Sequence, residues 1–350
     1  MKAGEIPRGN ALQAEACNAV VYSSRIRLAR NLEGIAFPGW ADAPTRTGVW
    51  ERVVEALCAM PDFENLQVQA VGGLNPLQRI MLQERQLISA ELASGDESCG
   101  VMYEESGRLS VMVNEEDHLR IQSVAPGFAL QDAWSVAADL HARMEQLLAF
   151  SFSPRFGYLT ACPSNVGTGI RASVMVHLVG LRLLGELDAV VRGLERTGFA
   201  VRGVSGEGSN AYGGFCQISN QKTLGVDELG TLHDVKDMVY SVLRAECDAR
   251  VRLSEVRPWA LEDAVARAYG LLRHARLLTT GEALENLSAI LLGLDRGLIR
   301  GVDPALLQRL LRDVQPGHLQ FHFGKSLAVV DRDQYRARYL QQALDTVELV

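Results

Sequence analysis

The sequence predicts an α+β fold: an antiparallel or mixed sheet flanked by helices, followed by an all-helical domain. β-rich segments occur in pairs and a helix does not follow every strand, which argues against regular βαβ repeats. Near residue 255 the pattern changes, and the segments after it are helical with no clear strand pair between them. We therefore expect an N-terminal extension over residues 1–18, a sheet domain over 19–254 and a helical domain over 255–350.

Hydrophobic periodicity assigns the individual elements, since alternation predicts strands and a spacing of three to four residues predicts helices. The expected strands are residues 19–30, Gln67–Val71, Gly100–Tyr103, Leu109–Asn114, Tyr158–Ala161, Ala172–Leu178, Ala200–Val204 and Gly214–Ser219. The expected helices of the sheet domain are Trp50–Met60, Ala129–Phe150, Leu181–Thr197 and Asp227–Asp248. Those of the helical domain are Pro258–Arg276, Thr280–Gly297, Asp303–Val314 and Asp333–Leu344.

The composition argues against several classes of function. A formal net charge of −7 disfavours non-specific binding to nucleic acid or to an anionic membrane. No apolar stretch reaches the ~18 residues of a membrane span, and the N-terminus lacks the apolar core of a signal peptide. Six cysteines without a Cys-x-x-Cys pair suit neither a zinc site nor a disulfide framework. We expect a cytoplasmic protein with free thiols and no metal site built from its own side chains.

Five arginines in four short segments carry the functional signal. They are Arg25, Arg27, Arg120, Arg171 and Arg202, each in or beside a strand-like or glycine-rich segment. Guanidinium groups held in this way suit bidentate recognition of phosphate oxygens. Because strand side chains repeat every two residues, Arg25 and Arg27 share a face, about 7 Å apart. A cage of arginines with carboxylates beside it, here Glu116 and Glu207, describes a phosphoryl-transfer site.

Each segment alone also has an ordinary structural explanation. Ser23–Arg30 could be an edge strand with solvated charges, Asn114–Arg120 and Arg202–Gly208 could be solvated turns, and Cys162 a small buried side chain. The familiar nucleotide motifs are missing, because Gly167-Thr168-Gly169-Ile170-Arg171 lacks the Gly-Lys-Ser/Thr of a P-loop. If ATP binds here, arginines and backbone amides must replace the P-loop lysine.

Taken in order, four motifs resemble the ATP:guanidino phosphotransferases, the family of creatine and arginine kinases. They are Ser-Ser-Arg-Ile-Arg at 23–27, Asn-Glu-Glu-Asp-His-Leu-Arg at 114–120, Cys-Pro-Ser-Asn-Val-Gly-Thr-Gly-Ile-Arg-Ala-Ser at 162–173 and Arg-Gly-x-x-Gly-Glu at 202–207. Within this family the chain is most similar to the bacterial protein arginine kinases of the McsB type. The first motif lies near the start of the chain, Val111-Met112-Val113 stands where phosphagen kinases carry a Trp, and the tail has Arg-Asp-x-x-Arg-Ala at 332–337. The resemblance covers about residues 19–340.

The resemblance implies roles for individual residues. The five arginines contact the phosphates of ATP, while Glu116 and Glu207 hold the acceptor guanidinium, one of them as base, with Cys162 beside it. Further nucleotide-lining residues are implied at Ser23, Ser24, Ile26, Gln86, Ala172, Ser173, Val174, Met175, Gly203, Val204, Ser205 and Gly206. A regulatory phosphoarginine site is implied at Arg332, Asp333, Arg336 and Ala337. One residue departs from the pattern: Gln86 stands where many relatives carry a histidine near the nucleotide.

The implied activity is the transfer of a phosphoryl group from ATP, with Mg²⁺, to arginine side chains of proteins, on a guanidino-kinase-like sheet. In the family this modification marks proteins for a Clp protease. The implied partners are protein substrates with exposed arginines, a zinc-binding activator protein and a Clp ATPase, and the chain is expected to form a homo-oligomer. Two alternatives stay open: a kinase of a small free guanidino compound, and a non-catalytic adaptor that binds phosphoarginine. The missing N-terminal substrate domain counts against the first, and the retained arginines and glutamates against the second.

Overall fold

The chain contains both strands and helices up to residue 256, and beyond it the chain is almost entirely helical. The computed structural model describes residues 20–61, 66–203 and 212–350. The first part contains β1 (Val21–Arg30), α1 (Ala43–Cys58), β2 (Gln67–Ala70), α2 (Pro76–Glu84), α3 (Ala90–Ala93), β3 (Gly100–Tyr103), β4 (Leu109–Val113), β5 (Leu119–Pro126), α4 (Leu130–Glu145), β6 (Phe152–Ser153), β7 (Gly157–Tyr158), β8 (Ile170–His177), α5 (Val179–Leu184), α6 (Leu187–Arg196), β9 (Phe199–Gly203), β10 (Phe215–Asn220) and α7 (Glu228–Val256). The helical tail contains α8 (Pro258–His274), α9 (Thr280–Asp295), β11 (Ile299–Arg300), α10 (Pro304–Asp313), α11 (Pro316–His322), α12 (Val329–Ala343) and β12 (Glu348–Leu349).

Eight of these strands form one sheet, in the order β2-β3-β4-β5-β1-β8-β10-β9. β1 lies near the centre, between β5 and β8. Every neighbouring pair in this sheet is antiparallel. The predicted α+β class is therefore confirmed, with a purely antiparallel ladder among the described strands.

The two faces of the sheet have opposite characters because side chains alternate along each strand. One face is apolar: Ile26 and Leu28 of β1 are buried in the same cluster as Ala137 and Leu140 of α4 and Val239 of α7. Burying an aliphatic side chain of this size stabilises the fold by about 1.5–3 kcal/mol. A slip of one residue would expose this whole set, so the apolar face fixes the register of the central strands.

Several sequence-based boundaries are confirmed, and the exceptions have physical causes. The expected helix Leu181–Thr197 is wrong as a single element, because Gly185 adopts φ +77° and ends α5 before α6 begins. The expected helix Ala129–Phe150 ends at Glu145, and the strand expected over Tyr158–Ala161 is reduced to β7. α2, α3 and β5 were not predicted; the first two residues of β5 belong to the acidic run, which masks its alternation.

The tail packs against the sheet and shares a hydrophobic cluster with it. Met175, Val179 and Phe215 of the sheet domain are buried together with tail residues such as Leu261 and Leu287. The tail also contains a short strand pair, β11 with β12, which corrects the expectation of helices alone. α11 was not predicted and α12 begins at Val329, four residues before its expected start. The domain boundary predicted after residue 254 lies in the last turn of α7, and the division into domains stays a prediction.

Among the helices of the described ranges, none is both long enough and apolar enough to cross a membrane.

Candidate active site

The second face of the sheet is polar and holds the five predicted arginines. The ladder places Arg171 directly opposite Arg27, Arg120 opposite Ala29, and Arg202 opposite Gln217 of β10, on the same face but in the row of Met175. Residues directly opposite in an antiparallel pair point to the same side, with Cβ atoms about 4.5–5.5 Å apart. The four sequence segments thus converge on one surface, which we call the arginine face.

Neutral groups hydrogen-bond to two of these arginines, Arg25 and Arg171. Arg25 donates from Nη1 to Oε1 of Gln86 (3.0 Å) and from Nη2 to Oε1 of Gln217. Arg171 donates from Nε and Nη2 to Oγ of Ser219 (3.2 and 3.1 Å). Amide and hydroxyl oxygens fix the direction of a guanidinium without cancelling its charge. Arg25 is therefore oriented by neutral groups, and its charge stays available to an anion.

The arginines also repel one another. Burial, together with the charges of Arg171 and Arg120, lowers the pKa of Arg25 to about 10. Burial and the same neighbours, with Arg25 added, lower the pKa of Arg27 well below its ordinary value. Nε of Arg27 is buried without a hydrogen-bond partner among the described residues. A bound polyanion would relieve the repulsion and give this donor an acceptor, so the geometry favours a phosphate chain.

Gln86, just after the end of α2, contacts the arginine face and has an unusual backbone conformation. Its φ is +59°, a left-handed conformation that costs a residue with a Cβ about 1 kcal/mol. Its N–H donates to the carbonyl of Gln83 (2.8 Å), and Leu87 N–H donates to the carbonyl of Leu82 (2.9 Å). These two hydrogen bonds form the Schellman motif that ends a helix. Its own carbonyl accepts from Nε2 of Gln122 (2.7 Å). Strain of this kind, held by several contacts, is typical of functional sites.

Two glutamates lie at the edge of the arginine face, in the loop between β4 and β5. Glu115 pairs with Arg120 through both carboxylate oxygens, and Oε1 accepts from Nη1 at 2.6 Å. Oε2 of Glu116 lies 3.5 Å from Nη2 of Arg120, and the Glu116 side chain is 42% exposed. Partial burial, then the charge of Asp117, raises the pKa of Glu116 above its ordinary value. Glu116 is thus a half-exposed carboxylate with increased basicity beside the arginine face.

A buried network holds this loop in place. Oδ1 of Asp117 accepts from Nδ2 of Asn31 (2.7 Å) and from the backbone N–H of Ala161 (2.7 Å). His118 is fully buried; its Nδ1 accepts from Leu32 N–H (3.0 Å), while Nε2 donates to the Ala36 carbonyl (3.0 Å). Burial lowers the pKa of His118, which keeps the ring neutral. His118 is therefore a structural group and not a ligand or base.

Cys162 lies at the same edge of the arginine face. Its Sγ lies 3.0 Å from Oγ of Ser164, and its thiol is close enough to Glu116 to act on the pKa of that carboxyl, which it lowers slightly against the larger effect of burial. The contact between Asp117 and Ala161 fixes the residue just before it. The structure thus brings Cys162, Glu116 and the arginine face together from three separate segments.

The remaining predicted site residues are divided between the two faces of the sheet. Ser24 accepts from Ala129 N–H at the start of α4 (2.9 Å), and Ile26, Ala172 and Val174 are buried in the apolar cluster on the opposite face. Ser23, Ser173 and Met175 belong to the polar face, although Met175 is covered by the tail. Gly203 ends β9. Val204, Ser205, Gly206 and Glu207 lie outside the described residues.

Sequence reasoning missed four polar residues of the site. Gln217 and Ser219 alternate with buried Ile218 along β10, so a period-two reading of that strand was a usable signal. Glu115 stands next to Glu116 in the same motif, and only the structure shows which of the two pairs with Arg120. Asn31 carries no pattern that reveals its contact with Asp117.

The tail motif has a different arrangement from the one expected. Arg336 is 1% exposed and donates from Nε to the Val314 carbonyl (2.8 Å) and from Nη1 to the Leu278 carbonyl (2.7 Å). Nη1 also donates to Oδ1 of Asp333 (2.7 Å). This guanidinium is occupied in holding helices together. Arg332 is half-buried near it, and Ala337 is buried in the tail cluster.

Over residues 20–61, 66–203 and 212–350, no three His, Cys, Asp or Glu side chains gather in a way that could hold a metal ion.

Comparison with known proteins places the chain. Residues 48–249 match the family ATP:guanido phosphotransferase, C-terminal catalytic domain, and residues 258–349 match the protein-arginine kinase McsB C-terminal domain. A protein-arginine kinase of Moorella thermoacetica is 42% identical over 93% of this chain and 94% of its own length. The chain belongs to the protein-arginine kinases.

Further relatives of this family agree with the assignment. The protein-arginine kinase of Brevibacillus brevis is 40% identical over 94% of this chain and 93% of its own length. Among solved structures, a duplicated taurocyamine kinase from Schistosoma mansoni with transition state analog components has a TM-score of 0.59 at 26% identity, over 71% of this chain and 37% of that chain. A lombricine kinase has a TM-score of 0.59 at 25% identity, over 65% of this chain and 66% of its own. The guanidino-kinase sheet and the resemblance read from the four motifs are both confirmed.

Proposed function

We propose that this protein-arginine kinase transfers the γ-phosphoryl group of ATP to arginine side chains of proteins. The observation that carries the proposal is the arginine face, whose Arg25 and Arg171 hydrogen-bond to neutral groups, with Glu116 and Cys162 at its edge. A phosphoryl group in transfer spreads negative charge over its oxygens, and fixed guanidinium groups stabilise that charge without reorganising.

Glu116 is our candidate for the group that activates the acceptor. A guanidinium is protonated at neutral pH and has no free lone pair, so it is a poor nucleophile. A carboxylate that pairs with it aligns one nitrogen and accepts a proton as the new nitrogen–phosphorus bond forms. The bond from the γ-phosphorus to the bridging oxygen breaks in the same reaction and leaves ADP. Glu207 is proposed as the second carboxylate.

ATP is proposed to bring a Mg²⁺ ion to the arginine face. Mg²⁺ on a nucleotide takes most of its ligands from phosphate oxygens and water, and it adds charge neutralisation at the β- and γ-phosphates. On this chain Arg25, Arg27 and Arg171 would hold the phosphate chain, with Gln86 and Gln217 keeping Arg25 in place.

The tail motif is proposed as a phosphoarginine site built on Arg332 and Asp333. Arg336 then has a supporting role, because its donors are used by Asp333 and two backbone carbonyls. Titrating free phosphoarginine into the wild type and into Arg332→Ala tests this. Equal affinity of the two proteins would remove the site from the proposal.

Family membership also supports partners and a location. We propose a cytoplasmic homo-oligomer that works with a zinc-binding activator protein and a Clp ATPase. Cys58, Cys99, Cys162 and Cys216 form no disulfide among the described residues, which suits a reducing compartment. Light scattering coupled to size exclusion would measure the oligomeric state.

One incubation separates the candidate activities. The full chain is mixed with ATP labelled at the γ-position and with either a protein bearing exposed arginines or free arginine. Acid-labile label on the protein supports the proposal. Label on free arginine alone would indicate a kinase of a small guanidino compound, and binding of phosphoarginine without any transfer would indicate an adaptor. Acid-stable phosphoserine or phosphotyrosine as the main product would contradict the proposal.

A further inference from the structure

Glu84, the last residue of α2, connects the helical tail with the arginine face. Its carboxylate is 11% exposed and accepts three hydrogen bonds from the first turn of α11. Oε1 accepts from Gly317 N–H (2.6 Å), and Oε2 accepts from His318 N–H (2.9 Å) and from Nδ1 of its ring (2.7 Å). One side chain of the sheet domain thus satisfies the free amide donors at the start of a tail helix.

The contact requires a negative charge and a very small neighbour. A carboxylate offers acceptors only, so all three donors can converge on it, and charged acceptors make the stronger hydrogen bonds. A Cβ at Gly317 would lie 2.8 Å from Oε2 of Glu84, so only glycine permits this approach. Breaking the contact on either side would leave donors of α11 without their partner.

The other end of the same short segment touches the arginine face. Gln86 follows Glu84 by two residues and is held by its bonds to Gln83, Gln122 and Arg25. The intervening Arg85 donates from Nη2 to the Glu105 carbonyl (2.6 Å). Glu84, Arg85 and Gln86 are consecutive, and a hydrogen bond holds the side chain of each. Because only one residue separates Glu84 from Gln86, a displacement of Glu84 is carried along the backbone to Gln86.

We propose that Glu84 is a positioning residue for nucleotide binding. It fixes the end of α2 against the tail, so that Gln86 presents its amide oxygen to Arg25. The inference rests on the proposed function, in which Arg25 binds phosphate. It adds that the tail contributes to nucleotide affinity through this one contact. Linkage then requires the reverse effect: bound nucleotide must stabilise the start of α11.

The test measures MgADP affinity of the full chain by calorimetry. Glu84→Gln removes the charge and turns a donor toward the donors of α11, and we expect affinity to fall about tenfold, within the usual range of coupling between sites. Turnover at saturating ATP should change less than KM. Asp295→Asn is the matched control: it removes the negative charge from a different contact to the tail, Nη1 of Arg250 to Oδ2 of Asp295 (3.2 Å), and leaves α2 untouched. Its affinity should equal that of the wild type.

A double-mutant cycle tests whether Glu84 acts on nucleotide binding through Gln86. Gln86→Gly removes the side chain and is compatible with φ +59°. If Glu84 acts through Gln86, Glu84→Gln should weaken MgADP binding in the wild type and add nothing in the Gln86→Gly background. Additive effects, or wild-type affinity of Glu84→Gln, would overturn the inference. Wild-type affinity of Gln86→Gly would instead contradict the proposed placement of the nucleotide beside Arg25.

Hydrogen exchange tests the same link first in the wild-type protein, where no substitution can disturb folding. In the wild type, MgADP should slow exchange of the peptide covering α11, and in Gln86→Gly this protection should disappear. If MgADP binds the wild type and leaves exchange in α11 unchanged, the link from Glu84 to the nucleotide is absent.

Discussion

Glu116 combines partial exposure with a raised pKa, and both properties bear on its proposed role as a base. A base must be ionised to work, so kcat/KM should fall as the pH drops through the raised pKa, above the ordinary value of about 4.3. Glu116→Gln should lower turnover by about 10²-fold or more while MgADP affinity changes little. Steady-state kinetics and calorimetry provide the check.

Asp117→Asn is the companion variant for the pH profile. Its amide oxygen can still accept from Asn31 and Ala161, while the charge that raises the pKa of Glu116 is removed. The acid limb should move to lower pH. An unmoved limb would show that Glu116 is not the group that titrates.

Arg25 shows why the shape of a guanidinium matters as well as its charge. Its two terminal nitrogens reach Gln86 and Gln217 in different directions, and an ammonium group cannot reproduce that fork. We therefore expect Arg25→Lys to weaken MgADP binding almost as much as Arg25→Ala, by about 2 kcal/mol or more. Arg252→Lys, at an exposed ion pair with Glu186, is the matched control and should bind normally.

Arg336 and Arg332 should respond differently to substitution. Arg336→Ala leaves the Val314 and Leu278 carbonyls without a donor and should lower the free energy of unfolding by about 3 kcal/mol. Arg332→Ala, at a half-buried position, should change it by less than about 1 kcal/mol. Urea denaturation of both variants measures the difference, and equal stability would mean that the buried contacts of Arg336 contribute little.

The β4–β5 loop depends on the conformation of Asn114, its first residue. Asn114 has φ +56° and donates from Nδ2 to the carbonyls of Arg46 and Ser98, both at 2.7 Å. Asn114→Ala should cost about 2–4 kcal/mol of stability and lower turnover, because it loses both bonds and strains the backbone. Asn114→Gly should be about 1 kcal/mol more stable than the alanine variant. Denaturation curves that rank the two in the opposite order would contradict this account.

At the level of elements, the sequence pattern correctly predicted those strands and helix starts that depend on neighbouring residues. β1 alternates between polar and apolar residues from Arg25 to Leu28, the β3–β4 hairpin consists of two short buried strands around a turn, and α7 follows Asp227, whose carboxylate accepts from Gly230 N–H. The break at Gly185 and the early end of α4 depend on how the chain turns to meet the sheet, which no window of sequence contains. The same holds for the site. The motifs predicted the arginines, whereas the contacts of Glu84 with Gly317 and of Arg336 with Leu278 join residues more than fifty positions apart along the chain.

The sheet and the tail should unfold as one unit, because they share an apolar cluster and a buried polar contact. Nε2 of His177 in β8 lies 2.6 Å from Oγ of Ser288 in α9, beside Phe215 and Met175. Removing the tail would expose that surface, so the sheet is expected to lose its stability without it. Two probes test this: tryptophan fluorescence, to which Trp40, Trp50 and Trp134 of the sheet domain contribute most of the signal, and far-UV circular dichroism, which reports the helices of both parts, should give coincident urea transitions. Two separated transitions would show independent domains.

The alternation along β1 limits which mutations this strand can accept during evolution. Odd-numbered positions such as Arg25 and Arg27 face the candidate site, and even-numbered ones such as Ile26 and Leu28 fill the core. Losing or gaining one residue in this strand would exchange the two sets and abolish activity and folding together. Point substitutions are therefore the only gradual variation available to β1, while insertions are confined to the loops that join the strands.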